Sequence, residues 1–270
     1  MRKKRITIVI ATHKAYQMPK DAMYLPLHVG AEGKKLDLGY VKDNTGENIS
    51  LKNPSYCELT GLYWAWKNLD SDYIGLAHYR RHFMYQKKGK DPFENVLKES
   101  ELQRLLSKYQ VFVPVKRRYY IETLYSHYAH THYAEHLDET RKIIEKLYPE
   151  YLPSYDKTVQ RTYGYMFNMM IMRRDLFCSY CEWLFTILFA LEKQMENHTE
   201  ELSAFQGRFY GRVSEIIFNA WLDYQIEKGK IDSSEIKELP CIYMEKIDWN
   251  RKISSFIRAK ITHKKYDGSF

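Results

Sequence analysis

Four apolar runs of strand length set the fold class of this chain. They are Ile6-Thr-Ile-Val-Ile-Ala11, Ile74-Gly-Leu-Ala77, Val111-Phe-Val-Pro-Val115 and the segment from Gly164 to Met172. The first and third are dominated by β-branched and aromatic residues, which pack well on a pleated surface. Helical periodicity fills the gaps. Leu59, Leu62, Tyr63 and Trp66 recur at helical spacing over residues 55–69, just after Pro54, and further helices are expected at about 93–108, 138–147, 175–196 and 212–227. Strands alternating with helices predict an α/β fold with a central, mostly parallel sheet flanked by helices. Short strands are also expected at Leu27-His-Val29 and Leu38-Gly-Tyr-Val41. A chain of 270 residues fits one large domain.

The second run leads directly into chemistry. Tyr73 to Phe83 reads Tyr-Ile-Gly-Leu-Ala-His-Tyr-Arg-Arg-His-Phe, so a buried strand ends on His78, Tyr79, Arg80, Arg81 and His82. Buried strands of α/β proteins present ligands with their carboxyl edge. Guanidinium groups there suit anionic oxygens, phosphate above all, which they bind bidentately. The alternative is an exposed strand end whose arginines pair with surface acids. A net charge of +8 and a pI near 9.0 point to an acidic partner: nucleic acid, a nucleotide-linked substrate or an anionic membrane. The 24 tyrosines suit stacking on bases and sugars, or simply line half-buried surfaces. No RNA- or DNA-binding signature accompanies them, so nucleic acid is not an expected partner.

Other patterns are weaker. Asp70-Ser-Asp72 has the Asp-x-Asp form of a metal site, but it precedes the strand at the wrong edge of the sheet and is expected to serve a turn. His127, His130, His132 and His136 crowd one stretch, and His132-Tyr-Ala-Glu-His136 has the spacing of an inverted zinc-peptidase motif with both histidines on one helical turn. No third ligand follows at a known spacing, so the cluster reads as polar, substrate-contacting surface or as helix entry, and no metal site is expected. Cys178 and Cys181 read as small hydrophobes on one helix face, and four cysteines are too few for a disulfide scaffold. Asp43-Asn-Thr-Gly-Glu-Asn-Ile-Ser50 is a loop dense in hydrogen-bonding groups. Glu215 follows Ser214 at the expected start of a helix, where capping and catalysis explain it equally well. The basic N-terminus lacks a cleavage site and its apolar run is too short for a signal peptide, and Trp183–Leu191 is too short to span a bilayer. A cytoplasmic protein is expected, peripheral at most on the inner face of the plasma membrane.

Several long blocks together resemble a known family. They are Thr12-His13-Lys14, Asp43 to Ser50, Asn53 to Asn68, His78-Tyr-Arg-Arg-His-Phe83, Phe167-Asn-Met-Met-Ile-Met-Arg-Arg174 and Ser214-Glu-Ile-Ile-Phe-Asn-Ala-Trp221. The chain resembles the bacterial capsular and exopolysaccharide glycosyltransferase family long catalogued as a domain of unknown function, some of whose members are regarded as galactofuranosyltransferases. That resemblance implies a GT-A-like nucleotide-sugar fold over residues 1–245. It also implies transfer of a sugar, galactofuranose or galactose, from a UDP-sugar donor to a lipid-linked oligosaccharide, with inversion. On this reading Thr12, His13 and Lys14 hold the nucleotide, with Asp43 or Asn44 on the uracil or ribose. His78, Tyr79, Arg80 and Arg81 stabilise the departing diphosphate, and His127, His130 and Asn168 meet the acceptor. Glu215 is the first candidate for the base and Glu58 the second. The His-Tyr-Arg-Arg block stands where such enzymes carry metal-binding acids, so no divalent metal or other cofactor is expected. In the tail, residues 246–270, Ile253, Phe256, Ile257 and Ile261 recur at helical spacing among basic residues, which suits an anionic membrane surface or, equally, packing on the protein's own core with the lysines in solvent. The competing reading is a non-catalytic nucleotide- or glycan-binding module on the same fold.

Overall fold

The computed structural model describes residues 2–196 and 202–245; the basic tail expected to meet a membrane lies outside the described residues. Eleven strands are described: Ile6–Thr12 (β1), Tyr24–His28 (β2), Val41–Lys42 (β3), Tyr73–His78 (β4), Arg81–Phe83 (β5), Val111–Pro114 (β6), Arg117–Arg118 (β7), Tyr163–Gly164 (β8), Met170–Arg173 (β9), Ile236–Leu239 (β10) and Cys241–Tyr243 (β11). The main sheet runs β10-β6-β9-β4-β1-β2-β3, and β5 joins β4 to β11 at one edge. Within the seven-strand path only β9 is antiparallel to its neighbours β4 and β6. The expected mostly parallel α/β sheet is therefore what forms.

Alternation along the strands splits the core in two. Val9 and Ala11 of β1, Ile74 and Leu76 of β4 and Met170 and Met172 of β9 face one side. There they meet Leu59–Asn68 (α2), Arg174–Met195 (α8) and Phe209–Glu227 (α9). Ile6, Ile8, Ile10, Ala77 and Ile171 face the other, against Leu97, Leu102 and Phe83. A period of two does this without further instruction. Gly75 lets β4 and β9 close up: a Cβ there would sit 2.8 Å from both Ile171 Cγ1 and the Met170 carbonyl oxygen.

Several expected elements divide. The helix foreseen at 55–69 is Asn53–Tyr56 followed by α2, parted by Cys57 at φ +53°. The one at 93–108 becomes Pro92–Asn95 and Glu99–Leu105. The strand foreseen from Gly164 to Met172 is two strands, with Phe167 (φ +81°) and Asn168 (φ +51°) between them. Finally, α9 begins at Phe209, not near 212. Ser214 is buried inside it and caps nothing, and Glu215 stands in its second turn. The capping explanation for Glu215 is thus removed.

Candidate active site

The carboxyl ends of β1 and β4 lie side by side, with Ala11 paired to His78. At the end of β1, Thr12 is buried, and its hydroxyl donates to the Lys14 carbonyl at 2.7 Å. This tight turn leaves His13 and Lys14 exposed. At the end of β4, Tyr79 and Arg80 form the two-residue turn into β5. The Tyr79 ring is buried and carries the cations: Lys14 Nζ lies 5.2 Å and Arg80 Cζ 5.2 Å from its centre, and His13 meets it edge-on at 5.4 Å. Tyr79 is thus a platform beneath the charges. Arg80 also pairs with Glu245 at 3.2 Å, both half-exposed.

His13 senses how positive this edge is. Burial lowers its pKa first, and Lys14, Arg208, Lys34 and Arg80 lower it further. Four cations within electrostatic reach of one imidazole make a rim suited to a polyanion. The two histidines expected to share that charge do not carry it. His78 is also pushed down, by burial and then by Arg81 and Arg80 against the opposing pull of Glu58. Its Nε2 lies 2.6 Å from the Phe167 carbonyl oxygen. Both are neutral near pH 7, and the cationic work falls to lysine and arginine.

Two carboxylates adjoin the rim through Glu58, which lies within electrostatic reach of Arg208 and of Glu215. Glu58, just before α2, accepts from Asn168 Nδ2 at 2.7 Å, and the same amide donates to the Gly211 carbonyl of α9 at 2.8 Å. The left-handed turn at Phe167 and Asn168 therefore ties β9, α2 and α9 together. Glu215 is partly buried, and its pKa is raised to about 7. Burial is the main cause and the charge of Glu58 the next; Arg81, a hydrogen bond from the Phe167 amide and Arg117 pull the other way. Arg81 stacks on the Phe167 ring at 3.8 Å and on Tyr243 at 4.8 Å. Asn219, one turn beyond Glu215, accepts from the Tyr165 amide at 2.7 Å and donates to the Tyr165 carbonyl at 3.0 Å. These bonds fix the segment between β8 and β9 against α9.

Other expected site residues are placed differently. Asp43 is wholly buried and accepts four bonds: from the Gly30 and Ala31 amides at 2.8 and 3.0 Å, and from the Ser50 and Thr60 hydroxyls at 2.5 and 2.7 Å. It faces inward and shapes the loop, so the expected contact with a base or ribose is not available to it; Asn44 is its partly exposed neighbour. His127 and His130 lie on the helix Leu124–Thr131, both bound through Nδ1 to Glu122, at 2.9 and 2.7 Å. Arg117 acts on both His127 and Glu215, so the histidine pair and Glu215 lie within reach of one cation. His132 and His136 do not share a helical turn, since one follows the helix Leu124–Thr131 and the other begins Glu135–Leu147. His132 bonds Gln206 and His136 bonds the Tyr128 hydroxyl, and burial first and Arg212 second depress their pKa values to about 3 and about 4. Asp70 and Asp72 sit at the opposite edge, where Asp70 pairs with Arg5 and Arg174 and Asp72 accepts from the Arg5 amide.

The family model described as a domain of unknown function (DUF4422) matches residues 7–226. The chain belongs to that family. Among solved structures, this DUF4422 chain is similar to the apo structure of the WbbM bifunctional glycosyltransferase, with 32% identity and a TM-score of 0.82. That match covers 89% of this chain and 45% of WbbM, so the DUF4422 chain spans less than half of its relative. The comparison with curated proteins gives no match.

Four residues of the site are not evident from motif reading. Lys34 lies in a Gly-rich loop, and Arg117 opens the short strand β7. Arg208 places Nε 3.0 Å from Cys57 Sγ, while Arg212 covers the Phe205 ring at 4.1 Å and donates to the Phe205 carbonyl. The last two stand four residues apart at the start of α9, on one helix face. That spacing was the available signal. No helix among the described residues is long and apolar enough to cross a membrane.

Proposed function

We propose that this chain is a glycosyltransferase domain that moves a hexosyl group, galactofuranose or galactose, from a UDP-sugar to a lipid-linked oligosaccharide with inversion. The observation that carries the reading is Glu215, a carboxylate raised to about 7 by burial and by Glu58, which itself lies within electrostatic reach of Arg208 in the rim of Lys14, Lys34, Arg80 and Arg208. A base matched to neutral pH beside a polyanion site is what such a transfer needs. The acceptor hydroxyl gives its proton to Glu215 as its oxygen bonds the anomeric carbon. The bond from that carbon to the phosphate oxygen breaks, and the rim cations offset the charge left on the UDP. In this reading Asn44 meets the uracil or ribose, and His127 and His130 line the acceptor side; Asn168, expected there too, is buried with its amide given to Glu58 and the Gly211 carbonyl, and serves the turn instead. The similarity to WbbM, a bifunctional glycosyltransferase by name, supports the same class.

We further propose that no divalent ion is required. Among the described residues no group of three or more His, Cys, Asp or Glu side chains could hold a metal. Glu58 is engaged by Asn168. The test is release of UDP from UDP-galactose and UDP-galactofuranose, with and without acceptor lipid, in EDTA or in manganese. UDP release in EDTA is expected. Binding without turnover under every condition would favour the binding-module reading, and activity that EDTA abolishes and manganese restores would end the metal-free clause.

A further inference from the structure

Residues Val115-Lys-Arg-Arg-Tyr-Tyr-Ile121 join β6 to the helix Leu124–Thr131 and include no acid. Tyr120 and Ile121 are the most exposed large hydrophobic residues described, at 82% and 85%, and Val115 is 51% exposed. Such a pair at a loop tip gains nothing from folding, because water still covers both side chains. Tyr120 also has φ +59°, a left-handed conformation that a bulky residue adopts at a cost. The turn is fixed nonetheless: the Tyr119 amide donates to the Thr162 carbonyl at 2.7 Å, and the Ile121 amide to the Tyr119 carbonyl at 2.7 Å.

A basic collar surrounds the tip. Arg117 lies over the Tyr119 ring at 4.8 Å and Arg118 over Tyr163 at 5.7 Å, and among the described residues neither has a carboxylate within ion-pair distance. Lys116 and Arg161 add cations whose charge is offset by Glu238 and Asp223, at 3.3 and 3.0 Å. An apolar tip beside tyrosines and two arginines that lie outside ion-pair distance of any described carboxylate matches an anionic bilayer. The tip enters the acyl boundary, the rings lie at headgroup depth and the guanidinium groups meet lipid phosphates.

We propose that the 115–121 loop is a membrane-docking element that seats the crevice on an anionic lipid surface. Arg117 links the two places, because it pairs with Gly164 across β7 and β8, and the next residue, Tyr165, bonds Asn219 one turn beyond Glu215. A lipid-linked acceptor held in that bilayer would present its sugar near the base. The proposal depends on the preceding reading for that acceptor, but not for the docking itself.

The experiment is co-sedimentation of the full chain with vesicles of phosphatidylcholine, with and without phosphatidylglycerol. The protein should bind the anionic vesicles, and less as salt rises. Tyr120→Asn/Ile121→Ser tests the tip with a residue that tolerates positive φ, and Arg118→Glu tests the collar. Each should weaken vesicle binding on the order of five- to ten-fold while leaving UDP release from soluble donor and thermal stability unchanged. All variants carry the same tail, so the difference reads the loop alone. Vesicle binding equal to wild type in both variants, or no binding by the wild type, overturns the proposal. Normal vesicle binding by a chain that never turns over a UDP-sugar would instead overturn the transferase reading and leave the docking element standing. Loss of binding to a protein partner with vesicle binding intact would assign the loop to that partner and sink the membrane proposal.

Discussion

His78 Nε2 lies 2.6 Å from the carbonyl oxygen of Phe167. A carbonyl only accepts, so Nε2 carries the proton and Nδ1 is the acceptor of a neutral ring. The amide of the same Phe167 acts on Glu215 of α9 and lowers its pKa. One residue therefore takes a hydrogen bond from the end of β4 and acts on the carboxylate of α9. It holds this position at φ +81°, followed by Asn168 at φ +51°. Each such residue costs on the order of 1–3 kcal/mol and persists where its surroundings over-determine it. Here the surroundings are Glu58 and the Gly211 carbonyl, both bonded to Asn168 Nδ2.

Glu215→Gln should fold normally and lower turnover by about 10²–10⁴-fold. The pH profile carries more information. A base must be ionised to act, so wild-type turnover should rise about tenfold per pH unit below 7 and level off above it. Stability should move the opposite way. With a folded pKa near 7 against an ordinary value of 4.5, the native state holds more protons than the unfolded state between those limits. Its stability therefore falls as pH rises through that window. Glu215→Gln removes this loss, so its melting temperature should gain on wild type at pH 8 relative to pH 5. A parallel shift at both pH values would mean that Glu215 has an ordinary pKa.

Arg80 is held in part by Glu245, across an ion pair with both partners half-exposed. Such a pair contributes little, about 0–1 kcal/mol, so an arriving diphosphate can recruit the guanidinium. Arg80→Ala should weaken UDP binding by about 1.5–3 kcal/mol, the scale of a charge-assisted hydrogen bond. Glu245→Gln should strengthen it slightly, by removing a competing anion. Titration calorimetry at low and high salt separates the two. Unchanged affinity in Arg80→Ala would take this residue out of the site and leave Lys14 and Arg208 as the phosphate ligands.

How much of this was written in the chain depends on which contacts are local. The strands β1, β4 and β6 were legible because burial on both faces demands short unbroken apolar runs. The cation-rich end of β4 followed from its place at the carboxyl edge. The break at Phe167 and Asn168 was not legible. Neither is glycine, and their positive φ angles rest on partners 110 and 43 residues away along the chain. The same holds for Glu215. Its helix starts earlier than Ser214 suggested, and its raised pKa comes from burial and from Glu58, neither of which has a sequence signature. Asp43 misled for a related reason, since a loop rich in hydrogen-bonding groups looks alike whether they face a ligand or each other.

Asp43 supplies the last prediction. A carboxylate accepts at both oxygens and donates at neither, which matches the four donors around it. Oδ2 takes the Gly30 amide and the Thr60 hydroxyl, and Oδ1 takes the Ala31 amide and the Ser50 hydroxyl. In Asp43→Asn, either orientation of the new amide sets an NH₂ group against a backbone N–H. A hydroxyl can rotate away from that conflict, but a backbone amide cannot. The cost should be on the order of 3 kcal/mol, from a buried donor left without an acceptor and the loss of charge-assisted bonds. At roughly 2–4 °C per kcal/mol for a domain of this size, the melting temperature should fall by about 6–12 °C. UDP affinity measured well below the transition should stay within about threefold of wild type, because the carboxylate has no lone pair left for a ligand. A variant of normal stability that no longer binds UDP would show the reverse: Asp43 turns outward to the nucleotide, and the loop is held by other means.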